Sequence, residues 1–276
     1  MLTRCCDDPT SDAPWSNSVR TSARIAFQLL LHFRRHMAQP DSLAAKRTLA
    51  APLLTNAPAD AVASYFALEH DPKRTRLTVR TNAAGRALAF VAVCQTGLDL
   101  FRPLVVLRGD DASVVQEALR EALQPRRQYL FNALPSARPD MEAAVDFHGE
   151  AIHIIYVLSA ADFQPVVNIL TQTSKTPDGL WRAAIKARDG SNAAEAGTSW
   201  ISSRYAELFV SVVEGARNRG LGKSVVSAVC TSVLDMGRTP LYVASQDNQA
   251  SIRLAQRLGF HTASAFELSG ALSLRD

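Results

Sequence analysis

Hydrophobic and polar positions change rhythm several times along this chain, and the rhythm predicts mixed α and β structure. Residues 59–70 place Ala61, Val62, Tyr65, Phe66 and Leu68 on one side of a helix, with Asp60 near its start. Residues 75–80 alternate. Thr75, Leu77 and Val79 oppose Arg74, Arg76, Thr78 and Arg80, the pattern of a half-buried strand. Asn82, Ala83, Ala84 and Gly85 supply a turn into an apolar strand over residues 87–94, which makes a hairpin. A short strand at 104–107 follows. Residues 111–123 then read as a helix, with Val114, Val115, Ala118, Leu119 and Ala122 on one face and Pro125 beyond its end. Residues 129–134 and 151–158 predict two more strands, the second strongly β-branched.

The pattern changes after residues 162–164 and Pro165, the expected domain junction. Residues 166–171, 181–188, 193–200 and 205–213 predict consecutive strands, with Arg188, Asp189, Gly190 and Ser191 as a hairpin turn. A Gly-rich bend, a helix to Met236, a stop at Gly237, a strand at 241–244, a helix at 248–258 and a strand at 260–268 complete the chain. Residues 1–42 lack steady periodicity and predict a poorly ordered tail. That leaves residues 43–160 as an N-terminal α/β domain and 161–276 as a second. The apolar run 25–33 contains Gln28 and His32 and is too short to cross a bilayer. Arg34 and Arg35 stand where a secretory signal needs small residues. Met37 is an alternative start, which would leave 1–36 outside the protein.

Composition narrows the function classes. The 276 residues are 47% hydrophobic and 20% charged, which excludes wholesale disorder. Thirty Lys and Arg against 26 Asp and Glu give +4, too mild to argue for nucleic acid but compatible with a basic groove for an anionic cofactor. Cys5, Cys6, Cys94 and Cys230 form no CxxC, so neither a zinc site nor a disulfide framework is expected and a reducing, cytoplasmic compartment is. His32 and His36 have helical metal spacing without an acidic partner. His148 and His153 are spaced to face opposite sides of a strand, so no metal is expected. No GxSxG occurs, which removes the commonest esterase signal.

The informative stretch is Arg217-Asn218-Arg219-Gly220-Leu221-Gly222-Lys223-Ser224. It follows an apolar strand and opens a helix whose face is Leu221, Val225, Val229, Val233 and Met236. The first-turn N–H groups of that helix have no intrahelical partner, and its dipole favours negative charge there. Gly220 and Gly222 would admit a phosphate close to the backbone, and Arg217, Arg219 and Lys223 add positive charge, so the bend reads as a pyrophosphate cradle. A P-loop would need glycine where Arg217 stands, and a dinucleotide fingerprint would need it at Val225.

This run resembles the acyl-CoA signature of the GNAT acetyltransferase superfamily, Q/R-x-x-G-x-G/A, through Arg217, Gly220 and Gly222. Residues 248–260, Asn-Gln-Ala-Ser-Ile-Arg-Leu-Ala-Gln-Arg-Leu-Gly-Phe, resemble the superfamily's second block, with its Asn, apolar helix and closing Gly-Phe. The resemblance covers about the last 110 residues. It implies a mixed-sheet, GNAT-like acyl-CoA N-acyltransferase fold in two consecutive α/β halves, the first a supplier of missing helices or a degenerate copy. Two parallel strands would splay, at 205–213 and 241–244. Acetyl-CoA would then pair with Val210, Ser211 and Val212, rest its pyrophosphate on the amides of Arg217, Asn218, Arg219, Gly220, Leu221, Gly222 and Lys223, and have Asn248 beside its thioester.

The implied activity is acetyl transfer to a small-molecule or peptide amine by direct attack, without a metal, nucleic acid or membrane. The acceptor and the oligomeric state are unreadable. Glu207, in a strand with apolar residues on both sides, is the candidate base, because partial burial raises a carboxyl pKa. The other reading is a rim carboxylate paired with Arg204. Trp200, Arg204 and Tyr205 either shape the acceptor pocket or form a surface turn. His261, after Gly259 and Phe260, is expected to be exposed. Many relatives carry a Tyr acid where this chain has Ala255. Tyr242 is then either a substitute or a core residue, and a non-catalytic acyl-CoA-binding regulatory module is the alternative function.

Overall fold

The computed structural model describes residues 42–97 and 99–275. The expected tail up to residue 41, with Cys5, Cys6, the run 25–33, His32, His36 and Met37, lies outside the described residues. Contacts divide the chain into Met1–Ala45 and Lys46–Asp276, and the second unit holds every described strand.

The described chain opens with a helix, Leu43–Ala50 (α1). The helix expected at 59–70 forms, but not as one regular α-helix. A tight 3-10 turn at Pro58–Asp60 leads into one α turn, Ala61–Ser64 (α2), which widens to a π turn over Tyr65–Glu69. Such widening turns the side chains that follow and is frequent at functional sites. The hairpin of Thr75–Thr81 (β1) and Ala87–Cys94 (β2) is present. Next come Leu104–Gly109 (β3), Ala112–Ala122 (α3), Gln128–Ala133 (β4), Arg138–Met141 (α4) and Val145–Val157 (β5). Asp111 caps α3 by accepting from the Ser113 and Val114 amides.

The second half continues with Gln172–Lys175 (β6), Trp181–Lys186 (β7), Asn192–Ile201 (β8), Tyr205–Val212 (β9), Leu221–Asp235 (α5), Thr239–Ser245 (β10), Gln249–Gln256 (α6) and His261–Leu274 (β11). The strand expected at 166–171 does not form. Val167 and Ile169 project into solvent there, and the Val166 amide donates to Ser227 Oγ of α5 at 2.8 Å instead of to a ladder. A β-branched run without a strand beside it has nothing to pair with. β5 begins earlier, and β11 ends later, than expected. The polar residues in those extensions, Asp146, His148, Ser269 and Ser273, occupy the less buried face of paired strands.

The eleven strands among the described residues form one sheet, in the order β1-β2-β3-β4-β11-β5-β10-β9-β8-β7-β6. The C-terminal strand β11 is held between β4 and β5, both from the first half of the chain. Only β3–β4 and β9–β10 are parallel pairs. Two cores lie along the sheet. Under α5 are Ala194, Ala196, Leu208, Val225, Val229 and Tyr242. Under α3 are Val91, Leu107, Val115, Leu119, Phe131 and Leu272. Because strand side chains alternate, Glu207 and Phe209 point away from the face that carries Ala206 and Leu208 against α5. Cys94 and Cys230 are buried free thiols, and burial pushes the Cys94 thiol up to about 12.

Candidate active site

The parallel pair β9–β10 stops early. Register runs only from Tyr205 opposite Thr239 to Leu208 opposite Tyr242. Beyond that, β9 stays paired with β8 as far as Val212, and β10 stays paired with β5 as far as Ser245. The two strands therefore part, as the resemblance implied, and Phe209, Val210, Ser211 and Val212 carry backbone on the β10 side without a strand to meet it.

The bend at residues 217–223 stands at the end of this opening. Gly220 is the N-cap of α5 with φ +76°, and Asn218 has φ +59°. The chain passes through these two left-handed residues into the first turn of α5, whose N–H groups lack intrahelical partners and favour an anion. A Cβ at Gly220 would meet open space, so glycine is there for its φ. Gly222 serves differently. It is buried, and a Cβ on it would lie 3.1 Å from both Leu254 and Val212 side chains. Its lack of a side chain lets the first turn of α5 sit against β9 and α6, rather than admitting a phosphate directly. Arg217 and Arg219 are exposed and Lys223 is half-buried.

On the other face of the sheet lies a cavity of about 1100 Å³. Its walls come from the segment 58–69 (Val62, Tyr65, Phe66), from β4, β8 and β9, and from β11. Glu207 lines it, directly before the place where β9 leaves β10. A β-bulge between Thr198 and Trp200 re-aims β8 so that Trp200 stands opposite Glu207. Trp200 Nε1 donates to Glu207 Oε2 at 2.8 Å, and Tyr65 stacks on the Trp200 ring at 5.1 Å. Burial pushes the Glu207 carboxyl up to about 8, helped by the negative charge of Glu267, while the Trp200 hydrogen bond opposes the shift. Arg204 does not pair with it. Glu267 of β11 lines the same cavity, and burial raises its pKa too, against the opposing influence of Asn132 and Arg108.

Residues 189–268 match the family described as FR47-like protein. No curated protein sequence matches the chain. Solved structures that resemble it include a GCN5-related N-acetyltransferase from Kribbella flavida, 15% identical with TM-score 0.59, over 80% of this chain and 97% of that one. A GCN5-related N-acetyltransferase-like protein from Streptococcus suis is 14% identical with TM-score 0.54, over 84% and 100%. A tandem GNAT protein from the clavulanic acid biosynthesis pathway is 15% identical with TM-score 0.55, over 86% and 95%. The chain shares the fold of these proteins.

The structure also places several other expected residues. Asn248 caps α6, its Oδ1 accepting from the Ser251 amide at 3.1 Å. Gly259 has φ +96°, and a Cβ there would run into the Asp162 carbonyl, so the closing Gly-Phe is a steric requirement. Ala255 is fully buried in the core. Tyr242 is buried as well, but its hydroxyl hydrogen-bonds Ser251 Oγ at 2.7 Å in the first turn of α6. Tyr205 donates its hydroxyl to the Asn56 carbonyl at 2.7 Å, Arg204 is exposed and outside the cavity wall, and His261 is exposed near Asp162. Contrary to their spacing, His148 and His153 lie on one face, because an irregularity in β5 between them shifts the register against β11, and they bond to Ser273 and Ser269 there. No group of His, Cys, Asp or Glu among the described residues could hold a metal. No described helix is long and apolar enough to cross a membrane.

Sequence reading missed Glu267, Tyr65 and Asn132 as members of the cavity wall. Glu267 had a usable signal, a lone carboxylate between Phe266 and Leu268, the same pattern that singled out Glu207.

Proposed function

We propose that the protein is an acetyl-CoA-dependent N-acetyltransferase acting on a small-molecule or peptide amine. The observation that carries this reading is the position of Glu207 beside the parting of β9 and β10, facing a cavity roomy enough for an acceptor. A thioester arm in the opening would bring its reacting carbon next to a carboxylate of suitable basicity. Backbone amides of residues 210–212 would hold the arm, and the bend at 217–223, with Arg219 and Lys223 beside it, would take the diphosphate. Acetyl-CoA supplies the activated acyl group. Glu207 takes the proton that the attacking nitrogen sheds as the nitrogen–carbon bond forms and the carbon–sulfur bond breaks, and the departing thiolate takes a proton from solvent or from Tyr242. Trp200 holds one oxygen of Glu207, which leaves the other free for the amine.

The test is thermal unfolding with acetyl-CoA, ATP and NAD in parallel, followed by thiol release over an amine panel. A ligand at a hundredfold excess over its Kd adds about 2.7 kcal/mol to stability. Stabilisation by acetyl-CoA alone, with thiol released on adding an amine, is the expected result. Stabilisation without release on any amine would favour the second reading, a non-catalytic acyl-CoA-binding regulatory module. That reading draws on Ala255, where no acid can stand.

A further inference from the structure

The cavity wall carries a second buried carboxyl beyond the one base that the reaction requires. Oε2 of Glu267 is shut away from solvent and meets no hydrogen-bond partner. Leaving a carboxylate oxygen so is costly unless something later satisfies it. The cation with most influence on Glu267 is Arg108, and Arg108 is committed elsewhere. Its Nε donates to Asp60 Oδ1 at 2.7 Å, and its two terminal nitrogens donate to the Leu107 and Ala59 carbonyls at 2.7 and 2.8 Å.

The other basic groups of the wall are also occupied or peripheral: the His70 ring is bonded to Thr75 Oγ1 at 2.7 Å, and His148 is exposed and bonded to Ser273 Oγ at 3.3 Å. Arg102 pairs with Asp99 at 2.8 Å. Arg182 donates to the Trp181 and Thr198 carbonyls and lies over the Phe209 ring at 5.0 Å. Arg74 is exposed at the rim, in a stretch that also presents Asp71 and Asp178. What remains inside is two carboxylates, Glu207 and Glu267, among the aromatic rings of Tyr65, Phe66, Phe131, Trp200 and Phe209. Aromatic faces and carboxylates together favour alkylammonium groups.

We propose that the acceptor is an aliphatic diamine, with one amino group presented to Glu207 for acylation and the other kept protonated against Glu267. This rests on reading the cavity as the acceptor site of an acetyltransferase. A monoamine would leave Glu267 Oε2 without a partner, and an acceptor with a carboxylate at its far end would be repelled.

Calorimetric titration of the full chain with putrescine, butylamine and the matching ω-amino acid tests the proposal, because the three share a chain and differ at one end. Putrescine is expected to bind about tenfold or more tightly than butylamine, the worth of one charged hydrogen bond, and the amino acid more weakly than either. In Glu267→Gln, the preference for putrescine over butylamine should fall from about tenfold or more to about one. Equal affinities of the wild-type protein for putrescine and butylamine, or binding of none of the three, overturn the proposal without reliance on any variant. The same follows if Glu267→Gln weakens both amines alike. Acetyl-CoA stabilisation and thiol release with butylamine are measured alongside. If they persist without a diamine preference, this inference fails and the acetyltransferase reading stands. If they are absent, that reading fails, while the titration still decides the diamine.

Discussion

Glu207 shows how much one residue's environment can do. A carboxylate at its ordinary value of 4.5 is too weak a base to deprotonate an amine efficiently, and burial beside Glu267 brings it to about 8. Because the basic form is the ionised one, kcat/KM should climb as pH rises through about 8. Glu207→Gln should lower kcat/KM about a hundredfold or more and flatten that rise, which a pH series of thiol release would read directly. The residues of the cradle make a separate prediction. Arg219→Glu combined with Lys223→Glu places negative charge beside a diphosphate and should weaken CoA about tenfold or more by calorimetry, with unfolding temperature little changed because Arg219 is exposed and Lys223 half-buried. Glu207 was legible as a lone acid in an apolar strand. Its pairing with the Trp200 ring was not, because a bulge in another strand sets that geometry.

At the scale of elements, segment 58–69 is anchored at several points. Asp60 forms a buried pair with Arg108, and hydrogen bonds from Thr55 and Arg108 outweigh burial to hold its carboxyl below the usual range. Glu69 accepts from the Ser203 amide and hydroxyl at 2.7 and 2.8 Å, which ties this segment to the turn between β8 and β9. Asp60→Ala would strand a buried guanidinium and should cost about 3–5 kcal/mol by denaturant unfolding. Gly222→Val makes a different point. The added side chain would press on Val212 and Leu254, so a loss of about 1–3 kcal/mol in stability is expected whether or not CoA binding changes. Amphipathic periodicity was enough to find α3, α5 and the hairpin β1–β2. It misread residues 166–171, where β-branched side chains stand in solvent and the backbone bonds to α5, because strand formation needs a neighbour that local sequence does not specify.

Across the whole molecule, the single sheet brings Glu207 of β9 and Glu267 of β11 to one cavity, and this has a thermodynamic consequence. Both folded-state pKa values are raised. In the unfolded chain these groups ionise near 4.5, so between 4.5 and about 8 folded Glu207 keeps a proton that the unfolded chain has lost. The contribution of Glu207 to stability is therefore complete below 4.5 and is lost as pH rises through about 8, and the raised Glu267 shifts stability in the same direction. Glu207→Gln should melt higher relative to the parent at about pH 9 than at about pH 5. The sequence by itself determined the elements whose signal is local: the amphipathic helices, the turn at 188–191, and the strand-to-helix bend whose glycines and basic residues point to an anion. Only the tertiary structure decided that β9 and β10 part after Leu208, that β11 lies between β4 and β5, and that an unpartnered carboxylate oxygen belongs to the wall of the cavity Glu207 faces. Periodicity is written in a few consecutive side chains, whereas strand order and cavity charge arise from contacts between segments far apart in the chain.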